Sequence, residues 1–405
     1  MTSKSKDENM SNQKWDGIHQ STKAVWAGET DGFFEGVAQV PIVNSVSYNH
    51  DDVDEWFEVA TGKREGHIYS RNTNPTVKVF EEKMRVLEDA EAATSFSTGM
   101  AAISNTLFTL LSPGERVVSV KDTYGGTSIV FLEHLPRFGI DVTMCETHDQ
   151  DEIEAECLKG CTVLYLETPT NPTMKILDLK RLIAAGKKVG ATVVVDNTFA
   201  TPINQNPLAL GADLVVHSAT KFIGGHSDAL GGVICGKKDL VKKIYGFREI
   251  NGATLDANSA YLLLRGLKTL KLRIERQNDN AMKLAKFLQN HKKVDQVFYP
   301  GLENSQNYSI AKSQMHGFSG MLSFSLKGGF DAVRHFLPQI RFAHRAAHLG
   351  GVETIVGPPR TTSHVELTEE QRARLDIPES LIRCSVGIED IEDIIADFDQ
   401  ALQNI

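Results

Sequence analysis

Four short runs near the middle of the chain, GERVVSV (114–120), CTVLYLE (161–167), ATVVVDN (191–197) and ADLVVHS (212–218), are rich in β-branched residues and apolar almost without a break. A strand with one wet face alternates apolar and polar residues, so unbroken runs call for burial on both faces. Between them, DLKRLIAAGKKVG (178–190) has helical spacing, basic residues towards its end and a closing glycine. A second helix is expected in AAISNTLFTLL, directly after TGM (98–100). Strand, helix and strand in this rhythm predict a mostly parallel α/β sheet.

The pattern changes near residue 255. A long helical tract is expected from Ser259 to Asn290, followed by GMLSFSLKG (320–328), FDAVRHFL (330–337), SLIRCSVG (380–387) and the amphipathic IEDIEDIIADFDQALQNI (388–405). These segments predict a smaller α+β domain. The reading divides the chain into an N-terminal arm (1–65), a large sheet domain (66–260) and a C-terminal domain (261–405). The opening MTSKSKDENMSNQKWDG is polar and lacks the apolar segment of a secretory signal. A disordered leader over residues 1–20 and a cytoplasmic protein are therefore expected.

Composition excludes several classes of partner. The net charge of −9 comes from 52 acidic against 43 basic residues, with no long basic run. That argues against nucleic acid or an anionic membrane as the main partner. No apolar stretch approaches the ~20 residues that a membrane helix needs. The five cysteines, Cys145, Cys157, Cys161, Cys235 and Cys384, are an odd, sparse set that suits a reducing compartment. Cys157 and Cys161 have helical spacing, but no second Cys or His pair completes a metal site, and no metal is expected.

Chemistry concentrates after the strand ADLVVHS, in HSATKFIGGHSD (217–228). Lys221 stands at a strand's carboxyl end, where open α/β sheets bind ligands. A lysine in a low-polarity pocket loses preference for its charged form and becomes a nucleophile and proton carrier. Ser218 and Thr220 flank it with hydroxyls, and Gly224 and Gly225 are expected to let backbone approach a ligand closely. Asp196 ends another buried strand, where a carboxylate needs a cation or several hydrogen bonds. SFSTGMAA places Gly99 at a helix start, whose free N–H groups favour phosphate. DTYGGTS offers Tyr124 to stack on a flat ring, and GHIYSRNTNPT offers Tyr69 and Arg71 to a phosphate. Each signal alone is weak. Together they describe a cofactor with a phosphate, a flat ring, a basic ring nitrogen and an aldehyde for Lys221, which is pyridoxal phosphate.

In order, YSRNTNPT, STGMAA, YGGT, ETPTNPT, VVDNTFATP, HSATKFIGGHSD and RCSVGIED resemble the motif set of the cystathionine γ-synthase, or Cys/Met metabolism, family of pyridoxal phosphate enzymes. The resemblance runs from about Thr22 to the C-terminus. It implies an aspartate aminotransferase-like (type I) fold and a homotetramer made of two tight dimers. By motif, Lys221 would bond the cofactor's aldehyde and Asp196 would pair with the pyridine nitrogen. Gly99, Met100, Ser218 and Thr220 would hold the phosphate, with Tyr69 and Arg71 reaching the neighbouring subunit's phosphate. Tyr124 would stack on the ring, Asn171 would sit near its phenolic oxygen, and Arg383 would clamp the substrate carboxylate.

Departures from the family pattern bear on the substrate. Members acting on cystathionine commonly have arginine where Ile129 stands, and methionine γ-lyases resemble YGC where this chain has Tyr124-Gly125-Gly126. Before LGG the family usually shows serine, often preceded by glutamate, and here Ala347 and His348 occupy those places. His348 is open to three readings: a substrate contact, a mere hydrogen-bond donor, or a packing residue. In GPPRTTSHVEL (357–367), His364 and Glu366 are candidate pocket residues or a loop's local hydrogen bonds. The first expectation is γ-elimination from an unusual, oxygen-linked amino acid such as an O-acylhomoserine or canavanine. γ-Replacement by a synthase or sulfhydrylase is the alternative, and a non-catalytic cofactor-binding regulator a third. No G-x-G-x-x-G turn supports a dehydrogenase.

Overall fold

The computed structural model describes residues 14–29, 36–365 and 368–405. Residues 1–13, most of the expected leader, and Glu366 lie outside the described residues.

Seven strands form the larger sheet: β1 (Ala92–Phe96), β2 (Arg116–Val120), β3 (Asp141–Cys145), β4 (Val163–Glu167), β5 (Thr192–Asp196), β6 (Leu214–Ser218) and β7 (Gly232–Gly236). Their spatial order is β1-β7-β6-β5-β4-β2-β3, and β7 alone runs antiparallel to its neighbours. Alternate residues enter different cores, as the unbroken apolar runs require. Val163, Tyr165, Val194, Leu214 and Val216 pack on one face with the helix Gly99–Leu110. Leu164, Leu166, Val193 and Val195 pack on the other with the helix Leu179–Lys188. The latter starts on the Asp178 carboxylate, which accepts from the Arg181 amide, and ends on Lys187 and Lys188.

A second sheet follows: β8 (Val294–Phe298), β9 (Met321–Leu326), β10 (His344–Arg345), β11 (Ile355–Gly357) and β12 (Leu381–Ser385), in the order β10-β11-β12-β9-β8. The helix Ile391–Gln403 covers it through Ile394, Phe398 and Ala401.

The helical tract expected over 259–290 is two helices, Ala257–Leu267 and Leu270–Gln289. They part at Thr269, which leaves helical geometry at φ −108°, ψ 6°. The carbonyl of Gly266 is taken there by the Thr269 hydroxyl and the Arg273 guanidinium, at 3.2 and 2.8 Å. No proline marks the break, so periodicity alone read through it.

A buried ion pair fastens the chain's beginning to this body. Lys83, on the helix Pro75–Leu87, donates to the carbonyls of Ala24 and Val25 at 3.0 and 2.8 Å and to Glu29 at 2.8 Å. The second oxygen of Glu29 accepts from Lys268 at 2.9 Å. Among the described residues no helix is long and apolar enough to cross a membrane.

Candidate active site

The carboxyl ends of β4, β5 and β6 open into a cavity of about 240 Å³. Register sets its floor. Glu167 and Asp196 close adjacent parallel strands as partners, so two carboxylates share one buried edge. Asp196 Oδ1 accepts from the Thr198 amide at 3.0 Å and its hydroxyl at 2.6 Å, and Oδ2 from Tyr165 at 3.3 Å. No cationic side chain among the described residues forms an ion pair with it. Burial consequently holds its pKa above the usual carboxylate range. Glu167 is pushed up further, by burial first and then by Asp196, while accepting from the Tyr124 amide at 2.9 Å.

Opposite this acidic floor stand two cations. Lys221 follows β6, and burial, then the nearby Arg383, lowers its amine to about 8. Its Nζ lies 3.2 Å from His348 Nδ1. Arg383, in the centre of the second sheet on β12, donates to Asn171 Oδ1 at 2.9 Å and to the His348 carbonyl at 3.3 Å. Burial lowers it to about 10, which leaves it a cation at neutral pH.

One wall is the start of the helix Gly99–Leu110, capped by the Thr98 hydroxyl, which accepts from the Ala101 amide. A Cβ on Gly99 would come within 2.7 Å of Ser218 Cβ, so only glycine lets the helix end meet β6 here. Beside it the exposed Tyr124 ring lies over Gly126, where a Cβ would press to 2.9 Å from that ring and 3.1 Å from Met100 Sδ. Ser218 donates its amide to Thr198, and the Thr220 hydroxyl exchanges hydrogen bonds with the Gly231 backbone.

Of the residues singled out in the sequence, Gly99, Met100, Tyr124, Asn171, Asp196, Ser218, Thr220, Lys221 and Arg383 all line this cavity. His348 does not line it but touches Lys221. Tyr69 and Arg71 stand apart, the guanidinium stacked on the tyrosine ring at 5.2 Å, with Arg71 lining a separate groove. His364 is buried and paired with Ser363, and burial lowers it to about 4. Ser363 and Thr362, not His364, reach the cavity.

Gly224 and Gly225, expected to admit a ligand, do not line the cavity and are approached closely by the protein itself. A Cβ on Gly225 would fall 2.2 Å from Arg273 Nη1, and one on Gly224 would meet the Ala219 carbonyl and Leu263 at 3.2 Å. They admit the helices of residues 257–289 against the turn after Lys221. Glu167, Thr198 and Tyr165 were missed, although Glu167 ends CTVLYLE just as Asp196 nearly ends ATVVVDN. The five cysteines are free, and Cys157 and Cys161 place their sulfurs 4.0 Å apart.

The chemistry of this set fits pyridoxal phosphate. A buried, uncompensated carboxylate suits a protonated ring nitrogen, a lysine with lowered pKa suits an aldehyde, and a glycine-fronted helix start suits a phosphate. Fold and site thus define a pyridoxal phosphate enzyme on a doubly wound sheet.

The chain belongs to the Cys/Met metabolism PLP-dependent enzyme family, whose model matches residues 21–403. It is similar to L-methionine gamma-lyase of Fusobacterium nucleatum subsp. polymorphum, 42% identical over 387 residues, covering 95% of this chain and 98% of that one. It is similar to cystathionine gamma-lyase of Bacillus subtilis (strain 168), 40% identical over 389 residues and covering 96% and 100%. Among solved structures, cystathionine gamma synthase from Xanthomonas oryzae pv. oryzae, in complex with aminoacrylate and cysteine, superposes with a TM-score of 0.90 at 36% identity, covering 95% and 98%. The protein is accordingly an enzyme whose cofactor is pyridoxal phosphate.

Proposed function

We propose that the enzyme eliminates the γ-substituent of a homoserine-type L-amino acid, with an oxygen-linked leaving group such as the acyl group of an O-acylhomoserine or the guanidinooxy group of canavanine. The observation that carries this is the charge inventory of the cavity. Its charged lining residues are Glu167, Asp196, Lys221 and Arg383, while Leu230, Ala347, Thr362 and Ser363 add only neutral surface. With the carboxylates on the floor and Arg383 reserved for the α-carboxylate, this chain supplies no charge for the second amino-acid end of cystathionine. The seat of Tyr124 over Gly126 supports the same reading. The cysteine that methionine γ-lyases resemble at this position has no room unless the ring moves.

When bound, the cofactor supplies an electron-poor ring that takes up the electron pair left by a broken C–H bond. Gly99, Met100, Ser218 and Thr220 would hold its phosphate, Asp196 its ring nitrogen, Tyr124 its face and Asn171 its phenolic side. Tyr69 and Arg71 would serve the site of a second copy in a homotetramer. Lys221, freed by the incoming amino group, would take the α-proton as a neutral amine, give it up, and only then take a β-proton, because an ammonium cannot remove a second one. The γ-substituent departs with its bonding pair and a proton. A proton returns to the γ-carbon and another to the β-carbon, and water then releases ammonia and a 2-oxo acid. A thiol that adds before water gives γ-replacement instead, the second reading, supported by the likeness to a cystathionine gamma synthase.

The deciding experiment measures 2-oxo acid and ammonia from cystathionine, methionine, O-acetyl- and O-succinylhomoserine and canavanine, each with and without thiol. Release without thiol, fastest from an oxygen-linked substrate, is the expected result. Cystathionine as the best substrate, or product only with thiol, would overturn the proposal. Arg383→Lys should raise KM roughly 10–100-fold with a smaller change in kcat, because a point-charge ammonium cannot reproduce the two-pronged grip. An unchanged KM would remove Arg383 from the carboxylate site.

A further inference from the structure

We propose that Cys157 and Cys161 form a modification site: a hydroperoxide oxidises the two thiols to a disulfide that staples the end of one helix to the start of β4. The γ-elimination chemistry uses neither residue. Cys161 stands just before the amino end of β4, whereas Glu167 closes that strand at the cavity.

The fold brings the pair together and leaves it room to close. Cys157 is fully buried on the helix Gln150–Leu158, and Cys161 is half-buried after it. Between them Gly160 turns the chain back at φ +104°, its amide donating to the Cys157 carbonyl at 2.9 Å. Arg116 fastens the same turn, donating to the carbonyls of Glu156 and Gly160 at 3.0 Å each. The sulfurs lie 4.0 Å apart. A disulfide needs ~2.05 Å, so side-chain rotation and the turn must together supply about 2 Å. The turn can give, because Leu158 and Lys159 are exposed and a Cβ on Gly160 would meet nothing within 4 Å. Cys145, Cys235 and Cys384 are fully buried, and among the described residues no other pair of sulfurs is in contact.

The two thiols have different parts. Their shared hydrogen bond holds the Cys161 thiol below its ordinary range, with help from Arg116 and against burial. The same bond, and then burial, push Cys157 well up. The thiolate is the nucleophile, and Cys161 is also the sulfur nearer solvent. Its thiolate attacks one oxygen of hydrogen peroxide; an S–O bond forms and the O–O bond breaks. The departing hydroxide takes up the proton that Cys161 had lost and becomes water. Cys157 then attacks the sulfur of this sulfenic acid, an S–S bond replaces the S–O bond, and a second water leaves with the Cys157 proton. In sum, two thiols and one peroxide give a disulfide and two waters, and two electrons pass from sulfur to oxygen.

A second thiol this near decides where oxidation stops. A sulfenic acid with no neighbour goes on to sulfinic acid, which thiol reductants do not reverse, whereas one beside a thiol is captured as a disulfide that they do. Cys157 therefore keeps the oxidation of Cys161 reversible.

The test treats the reduced holoenzyme with hydrogen peroxide, blocks the remaining thiols with iodoacetamide in denaturant, and reads tryptic peptides by mass. Cleavage after Lys159 leaves Cys145 and Cys157 on the peptide of residues 138–159 and Cys161 on that of 160–175. The expected result is these two peptides joined within one chain, and parted by dithiothreitol. In Cys157→Ser the join should vanish and Cys161 should be trapped by dimedone as a sulfenic acid, passing to sulfinic acid with time. In Cys161→Ser the remaining Cys157 should oxidise at least roughly tenfold more slowly than Cys161 does in Cys157→Ser. Cys157→Ala replaces the serine variant if that one does not fold, and the wild-type result is read without any variant. Sulfinic acid at Cys161 in the wild type would overturn the inference. So would a peptide 138–159 lighter by two hydrogens, which would pair Cys157 with Cys145, or a join found only between copies. No change while glutathione in the same tube is oxidised would overturn it as well.

Discussion

Replacing Lys221 with alanine is expected to lower turnover by at least roughly 10⁴-fold while the protein stays folded. The estimate follows from two proton removals by one amine, each accelerated by about 10²–10⁴, and from loss of the cofactor's covalent anchor. Stability should change little, because Lys221 lines the cavity and its amine makes one side-chain hydrogen bond among the described residues, to His348. The 2-oxo acid released by wild type and variant, at matched cofactor saturation and with assembly checked by light scattering, gives the comparison. Activity within tenfold of the parent would mean that another base does the work and that the site has been misread.

The second large effect is structural. Lys83→Met should destabilise the fold by about 3 kcal/mol, near the lower end of the range for removing one partner of a buried ion pair. Lys83 is fully buried, and burial lowers its pKa against the opposing pull of Glu29. Methionine matches the volume but abandons three acceptors: the carbonyls of Ala24 and Val25 and one oxygen of Glu29. Glu29 keeps Lys268, which is why the cost stays near the lower end. The urea midpoint of the holoprotein, at fixed protein and cofactor concentrations, should fall with little change in slope. A shift worth less than about 1 kcal/mol would show that the segment of residues 20–29 is held by other contacts.

How much of this was legible in the sequence depended on whether a feature is local. The four strands announced themselves because burial on both faces leaves an unbroken apolar run. β1, AATSF, has hydroxyl residues among its apolar ones and β7, GVICG, is bounded by glycines, so neither carries a long unbroken apolar run. Lys221 and Asp196 were readable as chemistry stranded at strand ends. Glu167 offered the same cue and went unread, and its part became evident only when register set it against Asp196. Gly224 and Gly225 misled because a glycine marks close approach without naming what approaches. In this fold Gly225 meets Arg273, some fifty residues away in sequence, and Gly224 meets Leu263 and the Ala219 carbonyl. His348 was noticed as a departure, but its distance to Lys221 depends on a loop of the second sheet folding over the first.

That last arrangement has an evolutionary reading. Nearly everything suited to the cofactor comes from the ends of the large sheet's strands and the helix at Gly99, whereas His348, Arg383 and Ser363 arrive from the second sheet and its loops. Ala347, Thr362 and Ser363 can therefore change without disturbing the strand ends across the cleft from which Glu167, Asp196 and Lys221 come. Divergence of specificity in such a molecule runs along a physical seam.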